Sequence, residues 1–127
     1  NSEIEAKEGI KVFNSVSKGT QEHISIFQSS DIFILPTDRD AYPIVLGEAA
    51  VSSLAIITTQ YAFGAQNIIL DGQSGFISET AEGCIEHLVA LIDNPEMIMK
   101  FKCNTHDYIQ KHFSTEVFRN TILQAIQ

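Results

Sequence analysis

The sequence predicts an α/β fold in which helices flank a parallel β-sheet. Short β-branched, apolar runs alternate along the chain with segments of helical periodicity. The runs DIFILP and LAIITT are apolar throughout, which is typical of strands buried on both faces of a parallel sheet. The final third of the chain has a helical pattern almost throughout. These observations together indicate βαβ units with right-handed crossovers, and therefore a Rossmann-like sheet.

The first half of the chain contains two predicted strands and two predicted helices after a helix end at Gly9. IKVFNSV alternates and is β-rich, so we expect a strand. SKGTQEHISIFQSS then predicts a short helix that is capped by Ser17 or Thr20. After the strand DIFILP, the segment YPIVLGEAAV predicts a helix with Pro43 in its first turn.

The second half begins with the strand LAIITT and a short helix after Gly64, followed by the turn DGQSG and the strand FIS. A longer helix is predicted from Ala81, and the Asn94-Pro95 pair ends it. Another helix runs toward His112, and a last one is capped by Ser114. The apolar face predicted for the helix from Ala81 consists of Ile85, Leu88, Val89 and Ile92.

Composition fits one domain over residues 1–127, because 44% of the residues are hydrophobic and 19% are charged. The formal net charge of −8 opposes binding to nucleic acid or to anionic lipid. Cys84 and Cys103 lack metal-type spacing, so we expect two buried or half-buried thiols in a reducing cytoplasm. His23 lies among polar residues and belongs to no partner motif, so we expect it at the surface.

A candidate site follows from the strand DIFILP, since ligands of open parallel sheets bind at the carboxyl ends of strands. The loop TDRDAYP leads into a helix N-terminus, where backbone N–H groups suit a diphosphate. A carboxylate would repel that group, so Asp40 is expected to meet a hydroxyl or a developing cation. Glu48 lies about two turns further on and suits a ribose diol. In the alternative, Asp40 caps the helix and Glu48 is a solvated or locally paired acid.

The stretch SSDIFILPTDRDAYPIVLGEAAVSSLAIITT, followed by FGAQNIILDGQSGFIS, resembles the C-terminal half of family 4 retaining glycosyltransferases of the GT-B fold. That family has a strand ending in Pro-Ser, a Glu-x7-Glu motif around a glycine-aromatic segment, a Gly-Gly turn and an Asp-Gly-x-x-Gly hairpin. The resemblance extends from about Ile10 to the C-terminus, and the order and spacing of several blocks agree. It implies a partial GT-B C-terminal domain with a helical C-terminal third.

Matched position by position, Asp40 stands at the family's first glutamate and Glu48 at its second. The resemblance therefore implies that Asp40 contacts the donor sugar as the catalytic position and that Glu48 binds the ribose. The remaining donor-binding positions match the glycine-aromatic segment and the Gly-Gly turn, and they are Tyr42, Pro43, Ile44 and Gly64. No metal is implied, since a helix dipole and basic groups neutralise the diphosphate in this fold.

Several positions depart from the family pattern. Asp40 is one methylene shorter than glutamate, Ala41 replaces a glycine, and Asn67 replaces a glutamate. Ser53 and Ala55 replace the glycine and proline before the next strand. Preserved spacing with changed side chains indicates a divergent member with a retuned donor site.

The resemblance implies a retaining transfer of a hexose or N-acetylhexosamine from a nucleoside diphosphate sugar, with UDP as the expected nucleotide and no other cofactor. The acceptor would be a glycan of bacterial surface polysaccharide, such as O-antigen lipopolysaccharide or capsule, on a lipid-diphosphate carrier. An N-terminal domain absent from this chain would bind it. A cytoplasmic location is expected, and for the full-length protein a peripheral position at the inner face of the membrane. The alternative is a non-catalytic assembly or regulatory module with a decayed donor site.

The resemblance also concerns the sheet edge, because it implies that the chain begins just before the family's third strand. The fragment alone would then be inactive. The strand DIFILP would lack its usual neighbour, and such an edge is a template for pairing. We expect this edge to pair between chains, to pair with IKVFNSV after rearrangement, or to exchange elements between copies.

Overall fold

The computed structural model of the chain describes residues 9–10, 20–40 and 43–112. They form a three-stranded parallel sheet in the order β1-β2-β3, with helices on both faces. The predicted α/β fold class is therefore confirmed. The elements in chain order are α1 (Gln21–Gln28), β1 (Ile32–Leu35), α2 (Val45–Val51), β2 (Ala55–Thr59), α3 (Ala65–Ile68), β3 (Gly75–Ser78), α4 (Ala81–Ile92) and α5 (Pro95–His112).

Three predicted elements cannot be compared with the structure. The described residues leave out residues 1–8 of the helix that ends at Gly9, all but the first residue of the strand IKVFNSV, and the whole helix after Ser114. The other predicted strands and helices are confirmed, with the break between α4 and α5 at Asn94-Pro95. Thr20 is the N-cap of α1, because its hydroxyl accepts a hydrogen bond from the backbone N–H of His23.

β2 is the central strand of the described sheet, and all five of its residues are buried. Ile56 pairs with Phe33 on one side, and its backbone approaches Gly75 on the other. A Cβ atom at Gly75 would lie 1.9 Å from the carbonyl oxygen of Ile56, so the close pairing of β2 and β3 requires glycine there. β1 is only half-buried, which corrects the prediction of a fully buried strand; β2 is its only neighbour within the described sheet.

The sheet separates two apolar clusters, because successive side chains of a strand point to opposite faces. Ile56 packs with α2 and α3 residues such as Leu46, while Ile57 packs with α4 residues such as Leu91. Helix α5 serves both clusters, since Phe101 joins the α4 side and Ile109 joins the α2 side. This helix therefore crosses from one face of the sheet to the other.

The crossing occurs at the amino edge of the sheet. Nζ of Lys102 lies 2.7 Å from Oδ1 of Asp31, which directly precedes β1. The hydroxyl of Thr105 donates to the backbone oxygen of Ser74, directly before β3, at 3.3 Å. Because α5 covers the amino edge, the loops at the carboxyl edge remain available to a ligand.

The buried face of α4 differs from the predicted one. Ile85, Val89 and Ile92 are 51%, 52% and 58% exposed, whereas Cys84 and Leu91 are fully buried. The helix is turned toward Cys84 because His87 stacks on Phe76, with ring centroids 4.1 Å apart, and hydrogen-bonds Ser78. Leu88 packs against the core as predicted.

The two cysteines lie in different surroundings. Burial raises the pKa of the Cys84 thiol above its ordinary value, against the smaller opposing effect of a hydrogen bond with Ser78. Cys103 is exposed, so the expectation of two buried or half-buried thiols is wrong for this residue. Within the described ranges, no helix combines the length and apolar character needed to cross a bilayer.

Candidate functional site

The candidate site lies at the carboxyl edge of the sheet. The three strands end at Leu35, Thr59 and Ser78, and each leads through a loop into the next helix. Since the strands are parallel, these loops lie at the same edge, where ligands of open α/β sheets bind. Asp40 belongs to the first loop and Gly64 to the second, as the sequence predicts.

Two buried threonines at the end of β2 fix the loop that follows β1. The hydroxyl of Thr58 donates to the backbone oxygen of Leu35 at 2.9 Å, and that of Thr59 donates to the backbone oxygen of Thr37 at 2.6 Å. The hydroxyl of Thr37 in turn contacts the backbone oxygen and nitrogen of Arg39, at 2.9 and 3.3 Å. The sequence carries one signal for these hydrogen bonds, the pair of threonines at the end of an apolar strand, but we did not predict the bonds from it.

Asp40 is exposed at the end of this anchored segment. Its carboxylate forms no hydrogen bond or ion pair with the residues described by the structure. The N-cap of α2 is Ile44, which provides no side-chain capping bond, so the alternative in which Asp40 caps the helix is wrong. Next to it, Asp38 and Arg39 form an exposed contact of 3.8 Å, a kind of pair that adds little stability.

Glu48 lies in the first turn of α2 and is half-buried, with 16% of its side chain exposed. Its Oε2 atom is shielded from solvent and lies 3.0 Å from Nε2 of His23 on α1. The prediction that His23 lies at the surface is corrected, because its side chain is only 21% exposed and contacts Glu48. The alternative interpretation described Glu48 as a solvated or locally paired acid. Glu48 is paired, with His23, and it is not fully solvated.

The predicted diphosphate segment is described only in part. Tyr42 lies outside the described residues. Pro43 precedes α2 instead of occupying its first turn, and its backbone oxygen accepts from the N–H of Leu46 at 3.2 Å. Ile44 follows as the N-cap, and its backbone oxygen accepts from the N–H of Gly47 at 3.0 Å. Both residues therefore sit at the entry to the helix that carries Glu48.

Gly64 lies in the second loop and begins α3. Its φ of +86° is in the left-handed region, which favours glycine, and a Cβ atom there would meet nothing within 4 Å. Glycine is thus required by the backbone conformation and not by crowding. The neighbouring Phe63 is 47% exposed, an unusual fraction for a phenylalanine. Asn67 is exposed, and its backbone oxygen accepts a hydrogen bond from the hydroxyl of Tyr108 at 3.0 Å.

The structure thus brings the loops of Asp40 and Gly64 to one edge and sets Glu48 against α1. A held carboxylate accepts hydrogen bonds from hydroxyl groups, as sugars present them. Arg39 is the only Lys or Arg in the described parts of these three loops, so this segment alone offers little positive charge to a diphosphate. In the described part of the chain, no group of three His, Cys, Asp or Glu side chains could hold a metal ion.

Two proteins of similar sequence are glycosyltransferases. The capsular polysaccharide biosynthesis glycosyltransferase CapM of Staphylococcus aureus is 26% identical over 102 residues, which are 79% of this chain and 27% of that protein. An uncharacterized glycosyltransferase of Haemophilus influenzae is 29% identical over 76 residues, which are 58% of this chain and 22% of that protein. The chain therefore spans about a quarter of the length of these relatives.

Two solved structures share the fold. The C-terminal domain of the glycosyl transferase group 1 family protein LpcC from Francisella tularensis has a TM-score of 0.66 at 19% identity, over 81% of this chain and 53% of that one. Sucrose-phosphate synthase from Thermosynechococcus elongatus has a TM-score of 0.66 at 16% identity, over 87% of this chain and 28% of that one. The fold is accordingly that of GT-B glycosyltransferase C-terminal domains.

A family match extends through the whole described sheet and both loops of the candidate site. Residues 2–107 match the family described as glycosyl transferases group 1. The match includes β1, the loop with Asp40, and the helix with Glu48. The chain therefore belongs to the glycosyl transferases group 1 family.

Proposed function

We propose that the chain is the donor-binding part of a retaining glycosyltransferase that transfers a hexose or N-acetylhexosamine from a UDP-sugar to a glycan. The observation that supports this most is the family match through β1 and α2, which includes both carboxylates of the candidate site. In this proposal residues 1–127 form one domain, a fragment of a GT-B C-terminal domain. The fragment by itself supplies only part of the donor site.

The carboxylates have separate roles in the proposed site. Glu48 accepts hydrogen bonds from the ribose hydroxyls, since it is half-buried and already ordered. Asp40 meets the transferred sugar from the exposed loop at the carboxyl edge. The backbone around Tyr42, Pro43 and Ile44 approaches the diphosphate, and Gly64 lets the second loop approach the sugar.

The acceptor is proposed from the class of the relatives. CapM is named for capsular polysaccharide biosynthesis, and we extend this to a surface polysaccharide acceptor for the present protein, O-antigen included. A separate acceptor-binding domain would hold that glycan, on a lipid-diphosphate carrier. The reaction would then take place in the cytoplasm at the inner face of the membrane.

Calorimetric titration of the 127-residue chain with UDP, other nucleoside diphosphates and AMP tests the donor site. We expect UDP to bind at least about tenfold more tightly than AMP, because a site for a diphosphate makes contacts with the second phosphate, which AMP lacks. Glu86→Gln on the exposed side of α4 is a matched control and should bind as the unmodified chain does.

The outcomes separate the parts of the proposal. Equal affinity for UDP and AMP would favour the non-catalytic assembly module and overturn the donor site. A preference for another nucleoside diphosphate over UDP would overturn the uridine assignment and keep the class of donor.

A further inference from the structure

We propose that His23 is a positioning residue that holds the Glu48 carboxylate in the orientation that receives the ribose. This inference rests on the proposed donor-binding role of Glu48. The family resemblance assigns no role to His23, and the sequence gives no local signal for it. The inference comes from the contact between α1 and α2.

The contact is close and shielded. Nε2 of His23 lies 3.0 Å from Oε2 of Glu48, and the two side chains are only 21% and 16% exposed. Oε2 itself is removed from solvent. A glutamate side chain rotates about three bonds, so a shielded polar contact at its end restricts the carboxylate before any ligand arrives.

The imidazole is itself held by the fold. The backbone N–H of His23 donates to the capping hydroxyl of Thr20 at 3.3 Å. Its ring meets the ring of Phe27 edge-on, with centroids 4.9 Å apart. Phe27 stacks on Phe33 of β1, with centroids 6.0 Å apart. His23 thus links the Glu48 carboxylate to the strand that carries the Asp40 loop.

The contact with His23 leaves the Glu48 carboxylate able to accept further hydrogen bonds from a ligand. A carboxylate has about four lone-pair sites on its two oxygens, so one imidazole contact does not exhaust its capacity to accept hydrogen bonds. The imidazole donates through Nε2 when that nitrogen carries a proton, as in the protonated ring or the Nε2–H tautomer. A ribose diol would then bind a carboxylate whose rotation is already restricted.

A merely structural role makes a different prediction. In that case His23 would only offset the burial of an acid, and its loss would lower stability without changing nucleotide affinity among folded molecules. The test therefore measures UDP affinity and thermal stability on the same variants. It also needs one variant that keeps a donor and one that does not.

The test is a UDP titration of the 127-residue chain and of His23→Phe, His23→Gln and Ser25→Ala. His23→Phe removes the donor and keeps the ring, so we expect roughly a two- to tenfold loss of affinity from the ordering of one glutamate side chain. His23→Gln retains an N–H donor and should recover part of that loss. Ser25→Ala, on the exposed side of α1, should bind UDP as the unmodified chain does.

Double substitution identifies the route of the effect. In the Glu48→Gln background, His23→Phe should cause little further loss of UDP affinity, because the residue acts through the carboxylate. An undiminished loss in that background would show that His23 contacts the nucleotide itself and would overturn the positioning role. If His23→Phe does not fold, His23→Leu, which also lacks a side-chain donor, carries the same comparison.

Failure of this inference is distinguishable from failure of the proposed function. If the unmodified chain does not prefer UDP to AMP, the donor site and the role of His23 fall together. If it prefers UDP, and His23→Phe lowers only the melting temperature, the donor site stands and the positioning role is overturned.

Discussion

Glu48 and Asp40 lie on one loop-and-helix segment but in different surroundings. Glu48 is half-buried, and Nε2 of His23 lies 3.0 Å from one of its oxygens. Asp40 is exposed and has no polar partner among the described residues. A carboxylate that is ordered in advance suits a binding contact made before the reaction, whereas an exposed one is ordered only by the substrate it meets.

Substitution of the two acids should therefore have unequal effects. Glu48→Gln should weaken UDP binding by about tenfold to a hundredfold, because a hydrogen bond to a charged group contributes about 1.5–3 kcal/mol. Asp40→Asn should leave UDP affinity almost unchanged and lower the turnover of a full-length protein. Calorimetric titration with UDP, beside rate measurements, checks both. Equal losses of UDP affinity in the two variants would contradict the separate roles.

The C-terminal end of α2 shows how one helix is stopped at the right place. The N–H of Ser53 bonds the backbone oxygen of Ala50, and that of Leu54 bonds the backbone oxygen of Ala49, at 3.0 and 3.2 Å. This pair of bonds is a Schellman motif, whose turning residue is usually glycine. Here Ser53 takes the position with a φ of +59°. The glycine expected from the family resemblance at this position thus has a conformational reason.

Ser53→Gly should raise the free energy of unfolding by about 0.5–1 kcal/mol. The left-handed conformation costs a non-glycine residue about 1–2 kcal/mol, and the greater freedom of glycine in the unfolded chain offsets part of the gain. Urea denaturation followed by circular dichroism measures the change. Ser52→Gly is the matched control, since Ser52 has a φ of −83° and glycine there should destabilise. Similar destabilisation by both would show that the Ser53–His106 contact of 3.2 Å outweighs the strain.

The positions of the strands and helices in the sequence were more predictable than which face of each helix is buried. The runs DIFILP and LAIITT identified β1 and β2 because their composition is strongly β-branched and apolar. The buried face of α4 was assigned wrongly because the helix has apolar residues on both sides. Contacts of Cys84 and His87 with β3 decide which side packs, and periodicity does not contain that information.

The candidate site was predictable only where its signals are local. The loop with Asp40 follows directly from the end of a strand, and Gly64 from a turn signal. The contact between His23 and Glu48 joins the helix before β1 in the chain to the helix after it. No short-range sequence pattern indicates such a contact. The same is true of the hydroxyl groups on β2 that hold the loop after β1.

At the scale of the whole molecule, the described part of the sheet ends at β1. Within the described residues β1 pairs with β2 alone. The backbone oxygen of Asp31 accepts from the N–H of Ala55, so in a regular strand the backbone groups of Ile32 and Ile34 face the opposite side. An apolar strand with outward N–H and C=O groups is a template for another strand.

We therefore expect the 127-residue chain to self-associate through β1. Sedimentation velocity over a concentration series should show dimers or larger species. Ile32→Pro removes one outward N–H at the first residue of the strand, where proline is tolerated. It should weaken association by roughly two- to twelvefold, the equivalent of one net hydrogen bond.

A chain that stays strictly monomeric at all concentrations, with the β1 amides exchanging freely with solvent, would overturn this expectation. Protection of those amides in a monomer would instead indicate pairing within the chain, as the rearranged strand IKVFNSV would provide. In a monomeric chain, hydrogen exchange thus distinguishes an unpaired β1 edge from one that pairs with IKVFNSV.

The tie between Thr59 and Thr37 has a consequence for how such a domain changes over evolution. The backbone of the segment after β1 is held by the hydroxyl groups of Thr58 and Thr59 on the neighbouring strand and by the hydroxyl of Thr37. The side chains of residues 38–40 take no part in these hydrogen bonds. We therefore expect substitutions at residues 38–40 to leave the backbone of this loop in place, so that the exposed side chains at the candidate site can differ between relatives that keep the same fold.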